Sequence, residues 1–346
     1  MELERENRTI VRLGLKALAS TENSGMRALI RAVGLEGRPL SAYHIGFVLG
    51  PCINASGRLE TAKEALRLLL TEDPGEAARL AEKLQELNEE RKAMTTKAVE
   101  EAARMVEESG LAADRVLVIF LPDCHESVAG IVAGKIRERF YRPAFVLTRG
   151  RDGVKGSGRS IEGYQMFEEL SKVSHLLTKF GGHPMAAGLS LAEENVDRLR
   201  RELNGNCRLG EDDLAEKVSI DFAMPIGYIS EPLCEQLSLL EPCGKGNEKP
   251  LFAARDLRVA GASVVGKTGN AVRLRLFDES GAAVTGMLFG DADRFLNYIA
   301  GRFGEQEKER MLRGLDNNVR LTVTYSPGIN EYRGTRSLQI TVRNYR

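Results

Sequence analysis

The chain has 346 residues, more than one ordinary core accommodates, so two or three domains are expected. Its 49 Lys and Arg balance 49 Asp and Glu, which excludes a global basic field and leaves nucleic acid to be attracted only by local patches. The cysteines, Cys52, Cys124, Cys207, Cys234 and Cys243, form no Cys-x-x-Cys pair and no regular spacing with histidine; this argues against a zinc site or a disulfide framework and fits a reducing cytoplasm.

The N-terminus, Met1-Glu2-Leu3-Glu4-Arg5-Glu6, is charged and leads into no apolar leader, and no run is long enough to span a bilayer. Residues Asn7 to Leu70 read as helices: Ile10, Leu13, Leu15, Ala17 and Leu18 recur at helical spacing, and Gly14, Gly25, Gly34 and Gly37 break the run into short pieces. With no strand and no glycine-rich nucleotide turn, this opening reads as the tail of a larger domain. Within it, Ile53-Asn54-Ala55-Ser56-Gly57-Arg58 sets Asn54 and Arg58 among small neighbours. Arg58 could grip a phosphate bidentately, or Asn54 could cap a helix while Arg58 makes a surface ion pair.

Asp73-Pro74-Gly75-Glu76 is a helix start, and no breaker follows until Gly110. Leu80, Leu84, Leu87, Met94, Ala98 and Met105 make a thin apolar stripe on a charged rod of about 50 Å, a strut between domains. From Arg115 strand and helix patterns alternate. Val116–Phe120 and Ala144–Leu147 read as strands, a helix from His125 to Phe140 lies between them, and a second helix carries Met166, Phe167 and Leu170.

Three polar clusters punctuate this α/β stretch: Asp123-Cys124-His125-Glu126-Ser127, Lys155-Gly156-Ser157-Gly158-Arg159-Ser160 and Gly181-Gly182-His183. Ligands of α/β units gather where strands end and helices begin, and each cluster is expected at such a junction. Lys155, Ser157, Arg159 and Ser160 offer ammonium, hydroxyl and guanidinium donors. His125 and His183 offer titratable imidazoles, and Gly181 and Gly182 let backbone N–H groups approach an anion. No convincing nucleophile or metal-ligand set stands among them, so the pattern suits holding a phosphate chain and not cutting it.

Residues 206–250 read as a linker, ending in the Pro- and Gly-rich Glu241-Pro242-Cys243-Gly244-Lys245-Gly246-Asn247. The remainder is β-rich, with strands expected at Leu257–Val265, Ala271–Phe277, Ala283–Phe289, Asn318–Tyr325 and Leu338–Arg343 and a helix near Ala292–Ile299. This is the pattern of a small OB-type barrel. Arg273 and Arg275 alternate with apolar neighbours and should project from one face. Arg320, Tyr325, Tyr332, Arg333 and Arg336 would add charge and stacking surface for a single strand; a merely solvated face is the alternative.

The Asn54–Arg58 segment, His125 with Gly130-Ile131-Val132-Ala133, Gly156-Ser157-Gly158-Arg159-Ser160, Gly181-Gly182-His183 and Glu241–Asn247, taken in order over nearly the whole chain, resemble the RecJ family of the DHH phosphoesterase superfamily. The resemblance implies a multidomain α/β architecture. Residues 1–72 would be the helical C-terminal part of a DHH domain, 73–110 a connecting helix, 111–205 a DHH-associated substrate-binding domain, 206–250 a linker and 251–346 an OB-fold. It implies a single-stranded-DNA-specific 5′ to 3′ exonuclease of recombination and repair, in which manganese or magnesium ions activate water. Asn54, Arg58, His125, Lys155, Ser157, Arg159, Ser160, Gly181, Gly182 and His183 would then bind DNA phosphate, and Arg273, Arg275, Tyr332 and Arg333 the strand on the barrel. Single-stranded DNA is the implied partner, with single-strand-binding protein or helicase beside it, for a cytoplasmic monomer.

One departure qualifies the match: the family's metal ligands include an Asp-His-His triplet, and none of His44, His125, His175 and His183 follows an aspartate here. Neither catalytic residues nor a bound metal are therefore expected in this chain, which would supply the DNA-binding half and be inactive alone. Cys124 also stands where the family usually has tryptophan. A non-catalytic module for single strands or a partner protein, and a phosphodiesterase for short oligonucleotides, are the alternatives.

Overall fold

The computed structural model describes residues 2–266, 269–332 and 334–346. The chain divides into two compact units, residues 16–217 and a second made of residues 1–15 with 218–346.

In the first unit, α2 (Ser24–Ala32) follows α1 (Arg5–Ala19), the helix inside which the division falls. A short α3 (Ala42–His44) runs through a π-helical turn at Ile45–Leu49 into α4 (Gly50–Leu59), and α5 (Ala62–Leu70) precedes the rod α6 (Pro74–Glu108). Asp73 caps α6 through its side chain, which accepts from the Gly75 N–H at 2.9 Å. Glu76 does not close a capping box; it accepts from Thr71 Oγ1 at 2.5 Å and pairs with Arg67. Leu29, Leu49, Ala55, Leu68, Leu80 and Leu84 form the buried core where these helices meet. Gly25 is obligatory there, since a Cβ would stand 1.8 Å from the Leu68 carbonyl oxygen.

Beyond α6 lie β1 (Leu117–Phe120), α7 (Glu126–Phe140), β2 (Ala144–Gly150), β3 (Gly153–Arg159), α8 (Met166–Lys172), β4 (Leu177–His183), β5 (Ala186–Leu191) and α9 (Val196–Asn206). The sheet order is β1-β2-β3-β5-β4; β1 and β2 are parallel across α7, and every other neighbour is antiparallel. One face of β1 and β2, with Leu117, Ile119, Ala144 and Val146, packs on Ala129, Val132, Ala133 and Ile136 of α7 and on Ala102 and Val106 of α6. The other face, with Val118, Phe145, Leu147, Val154, Leu189 and Leu191, packs on Met166 and Leu170 of α8 and Leu199 and Leu203 of α9. The side chain of Asn204 ties α9 to the sheet edge, accepting from the Arg115 and Val116 N–H groups and donating to the Val116 carbonyl.

The second unit is a barrel: β7 (Phe252–Val265), β8 (Ala271–Phe277), β9 (Ala283–Phe289), β10 (Arg320–Tyr332) and β11 (Thr335–Tyr345), in the order β10-β11-β9-β8-β7, close through a β10–β7 pairing. Helices α11 (Ala292–Phe303) and α12 (Glu305–Leu312) stand between the third and fourth of these strands. The stretch before the barrel is largely built into it: β6 (Phe222–Ala223) pairs with β7, and Cys234 of α10 (Glu231–Ser238) joins the barrel core with Ile226 and Ile229. The Glu241–Asn247 loop is held by the Asn247 side chain, which donates to the carbonyls of Leu240 and Pro242, and by Arg12, which donates to the Glu241 carbonyl.

Tyr325 departs from the expected stacking surface. It is fully buried, its hydroxyl donates to the Met224 carbonyl at 2.7 Å, and burial pushes its phenol well above the ordinary range. The cause is strand alternation, since Leu321, Val323 and Tyr325 share the inward face of β10. Arg336 is likewise engaged, pairing with Glu231 and Glu235.

Candidate nucleic-acid interface

The glycine-rich segments are strands and not junction loops. Ser157 pairs with Gly188 of β5, and Gly188 pairs with Gly181 of β4; in the next row Arg159 pairs with Ala186, and Ala186 with His183. Opposed residues of neighbouring strands point to the same face, so Lys155, Ser157, Arg159, Lys179, Gly181 and His183 share one. Arg159 and His183, two strands apart, are separated by roughly 10 Å of sheet. This face lies under α7 on β1 and β2, and Gly130 of α7 also reaches Ser157 and Arg159 of β3, whereas over β5 and β4 it is open.

Sequence reasoning took the glycines for anion-binding turns; sterics give most of them a different role. A Cβ on Gly156 would lie 2.3 Å from Leu147, and one on Gly158 2.5 Å from Met166 Sδ and 2.6 Å from Phe145, so both are demanded by the covered face. A Cβ on Gly182 would strike the Ala186 carbonyl at 2.4 Å, so Gly182 too serves close packing. Gly181 alone of this set, with nothing within 4 Å of a Cβ, leaves free space on the open face. Gly130 of α7 makes room for the guanidinium of Arg159: its Cβ would stand 3.0 Å from Nη2 and 3.5 Å from Ser157 Oγ.

A hollow of about 660 Å³ lies over this open face and brings together Arg58, His125, Lys155, Ser157 and Gly181. Arg58 enters from α4, where its Nη1 donates to the Ser127 carbonyl at 2.7 Å. His125 caps α7: its Nδ1 accepts from the Ser127 N–H at 3.3 Å and lies 2.7 Å from Ser127 Oγ. Lys155 is paired with Glu126 at 2.7 Å, and that hydrogen bond, before any other cause, holds the Glu126 carboxyl below its ordinary range. Arg159 is part-buried and donates to its own neighbour, the Gly158 carbonyl, at 2.8 Å; burial first, then the charges of Arg58 and Arg137, disfavour its protonated form.

Other expected residues lie apart from the hollow. Ser160 is buried and its hydroxyl donates to the Tyr164 carbonyl at 2.6 Å, so it is not presented to a phosphate; it follows the last residue of β3, where the chain turns into the core. His183 is exposed on the open face beyond the hollow's lining, with Nδ1 accepting from the Met185 N–H at 3.3 Å. Asn54 is exposed on α4, one turn before Arg58. Lys179 and Ser190, which the sequence reading passed over, line the hollow; the alternation Lys179-x-Gly181-x-His183 would have placed Lys179 had β4 been read as a strand.

On the barrel, Arg273 and Arg275 are exposed and line a second hollow of about 420 Å³ with Ser263, Thr285 and Arg313. Arg275 Nη2 donates to the Ala260 carbonyl at 3.1 Å. Arg333 lies outside the described residues, as does the side chain of Tyr332. Among the described residues no group of three or more His, Cys, Asp or Glu could hold a metal ion, and no helix is long and apolar enough to cross a membrane.

Residues 113–208 match the model of the DHHA1 domain, and residues 220–344 match that of the RecJ OB domain. The chain belongs to the RecJ family. It is 33% identical over 346 residues to the single-stranded-DNA-specific exonuclease RecJ of Bacillus subtilis, covering 99% of this chain and 42% of that protein. It is 31% identical to the Escherichia coli enzyme of the same name, covering 99% of this chain and 58% of that one. The crystal structure of RecJ from Thermus thermophilus in complex with Mn2+ superposes with a TM-score of 0.80 at 27% identity, over 100% of this chain and 47% of that one; a complex with Mg2+ gives 0.78. The RecJ-family chain thus spans about half the length of the curated relatives it matches.

Proposed function

We propose that this RecJ-family chain supplies the strand-holding half of a single-stranded-DNA-specific 5′ to 3′ exonuclease of recombination and repair. The strand's phosphate chain would lie across the open face of β5 and β4, alongside Lys155, Ser157 and Arg159 of β3. The observation that carries this reading is the pair of register rows, Ser157–Gly188–Gly181 and Arg159–Ala186–His183, which align a hydroxyl, a guanidinium and an imidazole around Gly188 and Gly181, where the face carries no side chain. Such a strip admits a sugar-phosphate backbone to within reach of the donors, and guanidinium and hydroxyl groups are the ordinary ligands of phosphate oxygens. On the barrel, Arg273 and Arg275, with Arg313, would track a strand electrostatically.

The chain's own part in the reaction is binding and orientation. Apart from Glu126, which is paired with Lys155, the charged side chains lining the hollow are cationic and suit an anion, and no hydrolytic step is assigned to it. A divalent metal, present in the manganese and magnesium complexes of the Thermus protein, would be held by other residues of the intact enzyme. Contacts with single-strand-binding protein or a helicase, and a cytoplasmic site of action, belong to that whole enzyme.

Anisotropy of a labelled oligothymidylate tests the reading. Binding should weaken steeply with salt, and Arg159→Ala should weaken it roughly tenfold and flatten the salt slope by about 0.7. Salt-insensitive binding, or affinity indifferent to Arg159, would remove the open face from the account.

A further inference from the structure

Strand alternation gives the barrel an outward face whose side chains the register fixes. On β8, Val272, Leu274 and Leu276 point into the core, and Arg273 and Arg275 point out; on β9, Val284 and Leu288 point in, and Thr285, Met287 and Phe289 point out. The outward residues fall in rows: Gly261–Arg275–Thr285, then Ser263–Arg273–Met287, then Val265–Ala271–Phe289. Phe289 is therefore the diagonal neighbour of Arg273, about 7–8 Å away and within reach of so long a side chain. It stands one row beyond the hollow of Arg273, Arg275 and Arg313.

Phenylalanine in that place is unusual on two counts. It is 63% exposed at a strand end that is held in place, since the Gly290 N–H donates to the Asn270 carbonyl at 2.9 Å. Among the described residues, moreover, no ring and no guanidinium stacks on it, whereas Phe277 lies under Arg258, Phe303 under Arg302, and Tyr345 against Phe295 and Tyr298. Phe222, also exposed, pairs with Phe252 at the other end of β7, away from Arg273. An open ring on a fixed strand beside two guanidiniums suits a flat group that carries an anion, which is what the base and phosphate of a nucleotide provide. We propose that Phe289 is the barrel's stacking platform, on which one base of the single strand lies while Arg273 and Arg275 hold the adjoining phosphates. The assignment rests on the single-strand reading above and adds to it a contact with a base, where the residues named before meet phosphate.

The chain contains no tryptophan, so Phe289→Trp puts a single indole on this face. Titrated with a long oligothymidylate, its emission should be quenched in parallel with the binding curve read by anisotropy, whereas Phe222→Trp should keep its emission. Phe289→Ala should weaken binding about tenfold with the salt slope unchanged, because a ring is lost and no charge. Phe289→Tyr should recover most of that affinity and Phe289→Leu should not; the two ring-bearing variants report even where Phe289→Ala melts too low to use. A strand of abasic sites should bind Phe289→Ala and the native chain alike. Native affinity in Phe289→Ala, or full emission of Phe289→Trp at saturation, overturns the proposal, as does self-association of the native chain that Phe289→Ala abolishes without changing affinity. If Arg273→Gln combined with Arg275→Gln also leaves affinity and slope untouched, the barrel's part in the single-strand reading falls as well; a damaging arginine pair beside a silent Phe289 overturns the stacking alone.

Discussion

Glu126 occupies the one ammonium of the open-face hollow that is already paired. The pair is about half exposed on each side, so it contributes little to stability. Its effect on binding is larger, because a phosphate must compete with the carboxylate for Lys155. Glu126→Gln should raise oligonucleotide affinity several-fold and steepen the salt slope by about 0.7, with the melting temperature almost unchanged. Unaltered affinity would show that Lys155 does not meet the strand. The glycines separate fold from function in the same way. Gly158→Ala drives a methyl into Met166 and Phe145 and should cost about 1–3 kcal/mol in denaturant titrations. Gly181→Ala meets nothing within 4 Å and should leave stability within about 0.5 kcal/mol while reducing affinity, because the methyl stands in the strip left for the backbone.

At the scale of elements, periodicity made the rod, the β1-α7-β2 crossover and the barrel strands legible. The helix start at Asp73 lies within a residue of α6, and Ala271–Phe277 and Ala283–Phe289 are observed as read. The glycine-rich strands were not legible in that way. Glycine in a short stretch signals a turn locally, and only the neighbours Leu147, Phe145 and Met166, brought in by the tertiary fold, turn Gly156 and Gly158 into strand residues. Arg58, His125, Lys155, Ser157 and Gly181 were named from sequence and do line one hollow; Ser160 was misjudged because a serine that bonds its own turn looks the same in sequence as one facing a ligand. Asn204 left no signal at all, since its partners lie 88 and 89 residues away. Asn204→Ala would orphan three backbone groups at the start of β1 and should cost about 1–3 kcal/mol, measured by chemical denaturation.

For the molecule as a whole, holding a strand is separate from cutting it. Incubated with single-stranded DNA and manganese, the chain should bind and release the oligonucleotide with negligible shortening, because among the described residues no group of three or more His, Cys, Asp or Glu could hold a metal ion. Robust cleavage would overturn that division. The most direct measurement follows backbone amide resonances of the isotope-labelled chain during titration with a thymidine oligonucleotide. Ser157, Gly181 and Gly188, which line the hollow, should shift together and saturate in parallel, while Gly158, packed against Met166 and Phe145, moves little. Perturbations confined to the barrel, with the three open-face amides unmoved at saturation, would contradict it.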